Sequence, residues 1–204
     1  MLASDEMKAI TVAKAALLAL TFAPAAMLGL GIVTIAPYTF YPRYMVNNTG
    51  DWGLRFLVMT MCVTPVRRLT GWHDIIQLRR TLGLAAFFYS AAHLVFWAAL
   101  EWSFRMGSMV DRVVRDPFIA TGTVAFALLL PLAATSNRAS MSWLGRRWRS
   151  LHVLTYVAAG VALLHFWLKG QFAELSVRKW IAIVAVLLGF RLLWARRHPR
   201  RTGA

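Results

Sequence analysis

The sequence predicts an all-α membrane protein: a helix bundle of about six transmembrane helices forming one domain over residues 1–204. Three observations carry that fold class. Of the 204 residues, 59% are hydrophobic, and the mean hydropathy is +0.56. Only 15% are charged, where a soluble domain carries about a quarter. Those charges bunch between apolar runs long enough for a bilayer core, which takes ~20 residues to cross. The formal charge of +15 does not read as a nucleic-acid footprint, because the arginines flank apolar spans instead of lining a polar face. The single cysteine, Cys62, lies inside an apolar run; it excludes a disulfide within the chain and reads as a small buried residue.

The spans fall at about 9–36, 52–66, 82–100, 118–135, 151–168 and 177–195. The second is short and runs on toward Leu69. Pro24 sits within the first, where a kink is tolerable. Asp5 and Glu6 spoil a positive leader, so this first span is expected to be retained. Orientation follows the arginines. Arg67, Arg68, Arg79 and Arg80 lie between spans two and three, Arg138, Arg146, Arg147 and Arg149 between four and five, and Arg196, Arg197, Arg200 and Arg201 after the sixth. Arg105, Arg112 and Arg115 on the other side are offset by Glu101, Asp111 and Asp116. Both termini are therefore expected on the cytoplasmic side. No internal repeat or low-complexity tract is visible.

Five histidines are present. His73 in GWHD and His198 in RRHPRR read as solvated surface residues. His93, His152 and His165 fall within spans, where a polar ring without a partner is costly. At a rise of ~1.5 Å per residue, His93 lies ~16 Å into span three, and His165 lies ~20 Å beyond His152 in span five. Both spans enter from the cytoplasm, so His93 and His165 occupy overlapping depths on different helices. That meets the requirement of a bis-histidine haem: two neutral imidazoles from facing helices on one iron. His152 stays near the cytoplasmic surface and is the candidate for a second iron. Arg79, fourteen residues before His93, returns to within ~40° of the same helix face at the level of His152. It either pairs with a haem propionate or serves as an unusual ligand, which a guanidinium resists. On an ideal helix His152 and His165 diverge by ~140°. An adjustment near Gly160, or cofactors on different faces, reconciles this.

Several stretches together resemble the MsrQ family, also called YedZ. They are TGDWGLRFLVMTMCVTPVRRLTGW at 49–72, RRTLGLAAFFYSAAHLVFW at 79–97, RDPFIATGTVAFALLLPLAATS at 115–136 and RWRSLHVLTYVAAGVALLHFW at 147–167. MsrQ in turn is similar to ferric reductase and NADPH oxidase membrane domains, in which two histidines on each of two helices hold haem. Here Arg79 stands where a fourth histidine is expected. The resemblance implies a multi-pass protein of the bacterial inner membrane that carries haem b, one or two per chain, and also FMN. It further implies electron transfer from the quinone pool or a cytosolic flavin reductase to a periplasmic molybdopterin enzyme, MsrP, which repairs oxidised methionine in periplasmic proteins. On that reading the chain is the electron-transfer subunit and MsrP the catalytic reductase. No residue signature for FMN is visible, although the cytoplasmic arginines suit its phosphate.

Remaining residues have simpler readings. Arg55 snorkels to the interface or touches an outer propionate. Tyr89 and Tyr156 read as hydrogen-bonded packing, and Trp52, Trp72, Trp97, Trp102, Trp148 and Trp167 as an aromatic belt. SFRMGSMVDRVVRDPF at 103–118 is amphipathic and is expected to lie on the outer surface. The four arginines of 138–149 suit anionic lipid or an acidic reductase. Two rivals stand beside the leading reading. A ferric reductase-like carrier with another acceptor is one; about ten residues follow the last span, so an appended FAD and NADPH domain is not expected. A histidine-based proton or metal transporter is the other, and it calls for intramembrane carboxylates that the histidine-bearing spans lack.

Overall fold

The computed structural model describes residues 2–34, 42–169 and 175–197. Its elements are helical throughout: α1 (Leu2–Thr34), α2 (Pro42–Thr70), α3 (Leu78–Phe96), α4 (Met106–Arg115), α5 (Pro117–Ala134), α6 (Arg138–Leu144), α7 (Arg146–Leu151), α8 (Leu154–Leu168) and α9 (Leu175–Arg197). A 3₁₀ turn at His73–Gln77 leads into α3, and a π-type turn at Trp97–Glu101 closes it. Positions 35–36 of the expected first span, and His198, Arg200 and Arg201 of the tail, lie outside the described residues.

Four of the six expected spans are long and apolar enough to cross a membrane: Ile10–Leu30, His73–Glu101, Pro117–Ala134 and Arg146–Leu168. The other two coincide with α2 and α9, which have 29 and 23 residues. Their length suffices, but Asp51 and Arg55 interrupt α2, and Arg191 interrupts α9. Segment 103–118 forms α4, short and exposed between two turns, as its amphipathic pattern predicts.

Local chemistry sets the breaks. Gly71, at φ 71°, ends α2, with its N–H on the Arg67 carbonyl. Asp116 starts α5 by accepting from the Phe118 N–H at 3.0 Å, and Pro117 occupies the first turn, where no amide hydrogen is needed. Asn137 caps α6 through the Ser140 N–H at 2.8 Å.

Packing is closest between α2 and α3 and between α5 and α8. Small residues permit the approach: Ala86 on α3 and Ala158 and Ala159 on α8 are fully buried. Gly53 of α2 faces the Ser90 hydroxyl so tightly that a Cβ would sit 2.8 Å from Oγ. Phe56, Leu57, Val58 and Met61 of α2 fill the core beside them.

The kink residue in α1 has a specific partner. Next to Pro24, the Tyr89 hydroxyl donates to the Thr21 carbonyl at 2.7 Å and accepts from the Ala25 N–H at 3.0 Å. Those two groups are the ends of one ordinary i to i−4 helix bond, so the phenol is spliced into the ladder and ties α1 to α3. Leu18, Leu20, Phe22 and Met27 of α1 are more than half exposed, as lipid-facing residues would be.

Ala86→Leu should separate α2 from α3 and cost about 1–3 kcal/mol by overpacking. Phe88→Leu, on a side chain 64% exposed, should change little. Thermal unfolding of the two variants in detergent checks the contrast, and equal melting points would refute it.

Candidate functional site

Two of the predicted ligands meet. His93, near the end of α3, and His165, near the end of α8, have ring centres 6.2 Å apart and ring planes 75° apart. Each ring is held by a backbone carbonyl on the neighbouring helix. His93 Nδ1 donates to Val46 O on α2 at 2.7 Å, and His165 Nδ1 donates to Phe118 O on α5 at 2.8 Å. A carbonyl oxygen only accepts, so the proton sits on Nδ1 and Nε2 keeps its lone pair. The Phe118 ring stacks on His165 at 4.4 Å and 8°, fixing its plane.

The local constellation occurs twice. Both histidines lie 47 residues after the residue whose carbonyl holds them. In both cases a Thr-Gly pair follows that carbonyl on the same helix: Thr49-Gly50 on α2 and Thr121-Gly122 on α5. Thr49 Oγ1 donates to Met45 O at 2.8 Å and Val46 O at 3.0 Å. Thr121 Oγ1 donates to Pro117 O at 2.9 Å and Phe118 O at 2.8 Å. The glycines make the approach possible. A Cβ on Gly50 would stand 2.9 Å from His93 Nδ1, and one on Gly122 would stand 2.7 Å from His165 Cε1.

A cavity of about 570 Å³ opens between α2, α3, α5 and α8 beside these rings, lined by Gly50, His93, Gly122 and His165, with Arg43 and Lys169 also on its wall. Lys169 Nζ donates to Asn47 Oδ1 at 2.8 Å. A metal ion between the rings, ~2.0–2.1 Å from each ligating nitrogen, calls for ring centres roughly 6 Å apart. The observed separation and the two lone-pair-bearing nitrogens fit that demand. Among the described residues no group of three or more His, Cys, Asp or Glu could hold a bare metal ion. The donor set is a pair of imidazoles, as an iron already carried in a macrocycle needs.

His152 lies apart from this pair, at the arginine-rich end. The helix breaks there: Val153, Thr155 and Tyr156 each bond to the carbonyl three residues back, at 3.2, 3.4 and 3.0 Å. Of the two ways to reconcile the histidines of span five, a local adjustment is present, but at His152–Val153, while Gly160 sits inside regular helix. The break falls where α7 ends and α8 begins. His152 Nδ1 donates to Trp148 O at 3.1 Å, and the Trp148 indole stacks on the ring at 3.9 Å. Its Nε2 is buried with no partner. Arg79, in the first turn of α3, lies within electrostatic reach of His152, as the fourteen-residue count predicts.

Other readings are corrected or sharpened. Tyr156 is not hydrogen-bonded packing: its hydroxyl is buried without a partner, and the Arg191 guanidinium lies 4.4 Å above the centre of its ring. Arg55 lies over the Trp52 ring at 4.6 Å. His73 is exposed, as expected. The carbonyls of Val46 and Phe118 and the glycines beside them were beyond single-residue reading. A signal existed in spacing: Thr49-Gly50 and Thr121-Gly122 are 72 residues apart, as are His93 and His165.

Gly122→Ala should force the His165 ring off its carbonyl and destabilise the protein by about 1–3 kcal/mol. Gly160→Ala, where a Cβ meets nothing within 4 Å, should be neutral or stabilising by up to about 1 kcal/mol. Melting temperatures of the two variants test this, and the opposite order would contradict the proposed contact.

Comparison with known proteins now bears on this geometry. Residues 49–164 match the family described as ferric reductase like transmembrane component. A protein-methionine-sulfoxide reductase heme-binding subunit MsrQ from Ralstonia nicotianae is 43% identical over 164 residues, covering 78% of this chain and 75% of the relative. The MsrQ of Herminiimonas arsenicoxydans is 42% identical over 167 residues, covering 79% and 76%. Magnetosome protein MamZ of Paramagnetospirillum magneticum is 39% identical over 169 residues, which are 82% of this chain but 25% of that protein. The matched region contains the paired Thr-Gly sites, His93, His152 and Arg79, and stops one residue before His165. Taken with the apolar spans, these matches show that the chain is a multi-pass membrane protein and belongs to the MsrQ family, within the ferric reductase-like transmembrane proteins.

Proposed function

We propose that this chain is a haem-carrying electron-transfer subunit of the inner membrane, serving a periplasmic methionine sulfoxide reductase. The observation that carries this reading is the His93–His165 pair, with its 6.2 Å ring separation and its two Nδ1 atoms anchored on carbonyls. When bound, haem b supplies one-electron redox chemistry at its iron. The residues supply the rest. His93 and His165 would hold the iron through their Nε2 atoms, and a haem so held would be suited to electron transfer over oxygen activation. Val46 and Phe118 fix the tautomer and strengthen each imidazole as a donor. Arg43 and Lys169 on the cavity wall offer cations to acidic groups.

His152 is the proposed ligand of a second cofactor level, with Arg79 beside it to pair with an acidic substituent. The free, buried Nε2 of His152 supports this, since such an atom is costly without a partner. The arginine-rich end faces the cytoplasm by the positive-inside rule, with α1 beginning and α9 ending there. Electrons from a quinone or a cytosolic flavin reductase would enter at that level and leave at the His93–His165 level toward an MsrP-like molybdopterin partner in the periplasm. The FMN implied by the family resemblance belongs to the cytoplasmic level, where the arginines are.

Purified protein should show a b-type Soret and alpha band that sharpen with dithionite. His93→Ala and His165→Ala should each lower the haem of that level at least tenfold, while His152→Ala leaves it. Full haem retention in both of the first two variants would overturn the pairing.

A further inference from the structure

A second cluster lies at the arginine-rich end, built from four helices. Arg68 closes α2, Arg79 opens α3, Tyr156 sits at the start of α8 beside His152, and Arg191 sits in α9. The charges acting on Arg191 are those of Arg79 and Arg68, and Arg79 also acts on His152. Arg191 lies 4.4 Å above the Tyr156 ring, and Arg68 lies 5.0 Å above the ring of Trp194, one turn further along α9. Among the described residues, the buried side-chain polar atoms without a hydrogen-bond partner are three: Arg68 Nη1, His152 Nε2 and Tyr156 Oη. All three belong to this cluster.

Such an arrangement is unfavourable as it stands. Guanidinium groups keep their protons, so three of them among apolar helices repel one another. The aromatic faces beneath Arg68 and Arg191 offset part of that cost but accept no ordinary hydrogen bond. A buried donor without an acceptor is a rare feature that calls for a missing partner. An anion answers the two donors: it neutralises like charges, accepts from Arg68 Nη1 and from the Tyr156 hydroxyl, and suits the planar guanidinium fork, while His152 Nε2, which keeps a lone pair, calls instead for an electron-pair acceptor.

We propose that Arg68 and Arg191, with Tyr156, form an anion clamp that binds the dianionic group of the ligand held at His152, either a pair of carboxylates or one phosphate monoester. This rests on the reading of His152 as a cofactor site and assigns that site its anchoring residues. The two sources of such a group are a porphyrin with two propionates and a flavin with a terminal phosphate. Both place an apolar ring system next to the anion, and the cluster supplies an imidazole and aromatic faces next to its arginines.

The test uses the full chain purified in mild detergent with its native cofactors. Haem per protein is measured by pyridine haemochrome and flavin by fluorescence after acid release, for wild type, His152→Ala, Arg68→Gln/Arg191→Gln and Arg68→Lys/Arg191→Lys. The clamp predicts that Arg68→Gln/Arg191→Gln loses at least tenfold of one cofactor while the haem removed by His93→Ala stays, which also reports intact folding. Loss of haem identifies the carboxylate pair, and loss of flavin identifies the phosphate. The lysine variant keeps the charge without the fork and should retain several-fold more than the glutamine variant; equal loss in the two would reduce the arginines to structural residues and overturn the clamp. Wild-type content of both cofactors in the glutamine variant would also overturn it. The underlying reading fails separately: if His152→Ala loses nothing while the glutamine variant does, the clamp stands and the role of His152 falls.

Discussion

The arrangement depends on two hydrogen bonds between an imidazole and a backbone carbonyl one helix away. A helical carbonyl is usually screened by the side chain one turn further on. Here that residue is glycine in both cases, so the ring can lie flat against the backbone and reach the oxygen. The bond then settles three matters together: the ring's plane, the nitrogen that carries the proton, and the distance between α2 and α3 and between α5 and α8. Ligand geometry and helix packing are therefore one constraint. Alanines at the contacts and the short reach of Gly53 to Ser90 let the backbones come close enough for the bonds to form.

The two levels of the bundle are built on different terms. At the His93–His165 level the polar groups of the rings are matched on the Nδ1 side. At the His152 level, like charges accumulate, and two donors and the lone pair of His152 Nε2 go unpartnered. Low dielectric makes both conditions matter more than they would in water. The first level is preorganised by backbone carbonyls. The second is held by long side chains from separate helices and by a break in α8, so its order depends more on what it holds.

Much of this was legible in the sequence. Apolar run length located the spans, and a rise per residue was enough to bring His93 and His165 to one depth. The fourteen-residue count brought Arg79 within electrostatic reach of His152 because α3 extends back to Leu78. Other features were not legible for physical reasons. Periodicity assumes a straight, regular helix, so it could not locate the irregularity of span five, which lies at the junction of α7 and α8. A tyrosine in a span has the same sequence signature whether its hydroxyl is satisfied, as in Tyr89, or stranded, as in Tyr156. Backbone carbonyls carry no residue-type signal at all, and only a matched 72-residue offset between two pairs of features hinted at them.

The doubled Thr-Gly and histidine pattern makes the bundle read as two copies of one helical hairpin facing each other inside a single chain. At the His93–His165 level the copies match, each imidazole held through Nδ1 by a carbonyl one turn before a glycine. The copies diverge at the other level. By the same 72-residue offset His152 corresponds to Arg80, next to Arg79, so the first hairpin carries guanidinium groups and no imidazole there. The chain thus behaves as a symmetric dimer where two like ligands are needed, and as a heterodimer where one is.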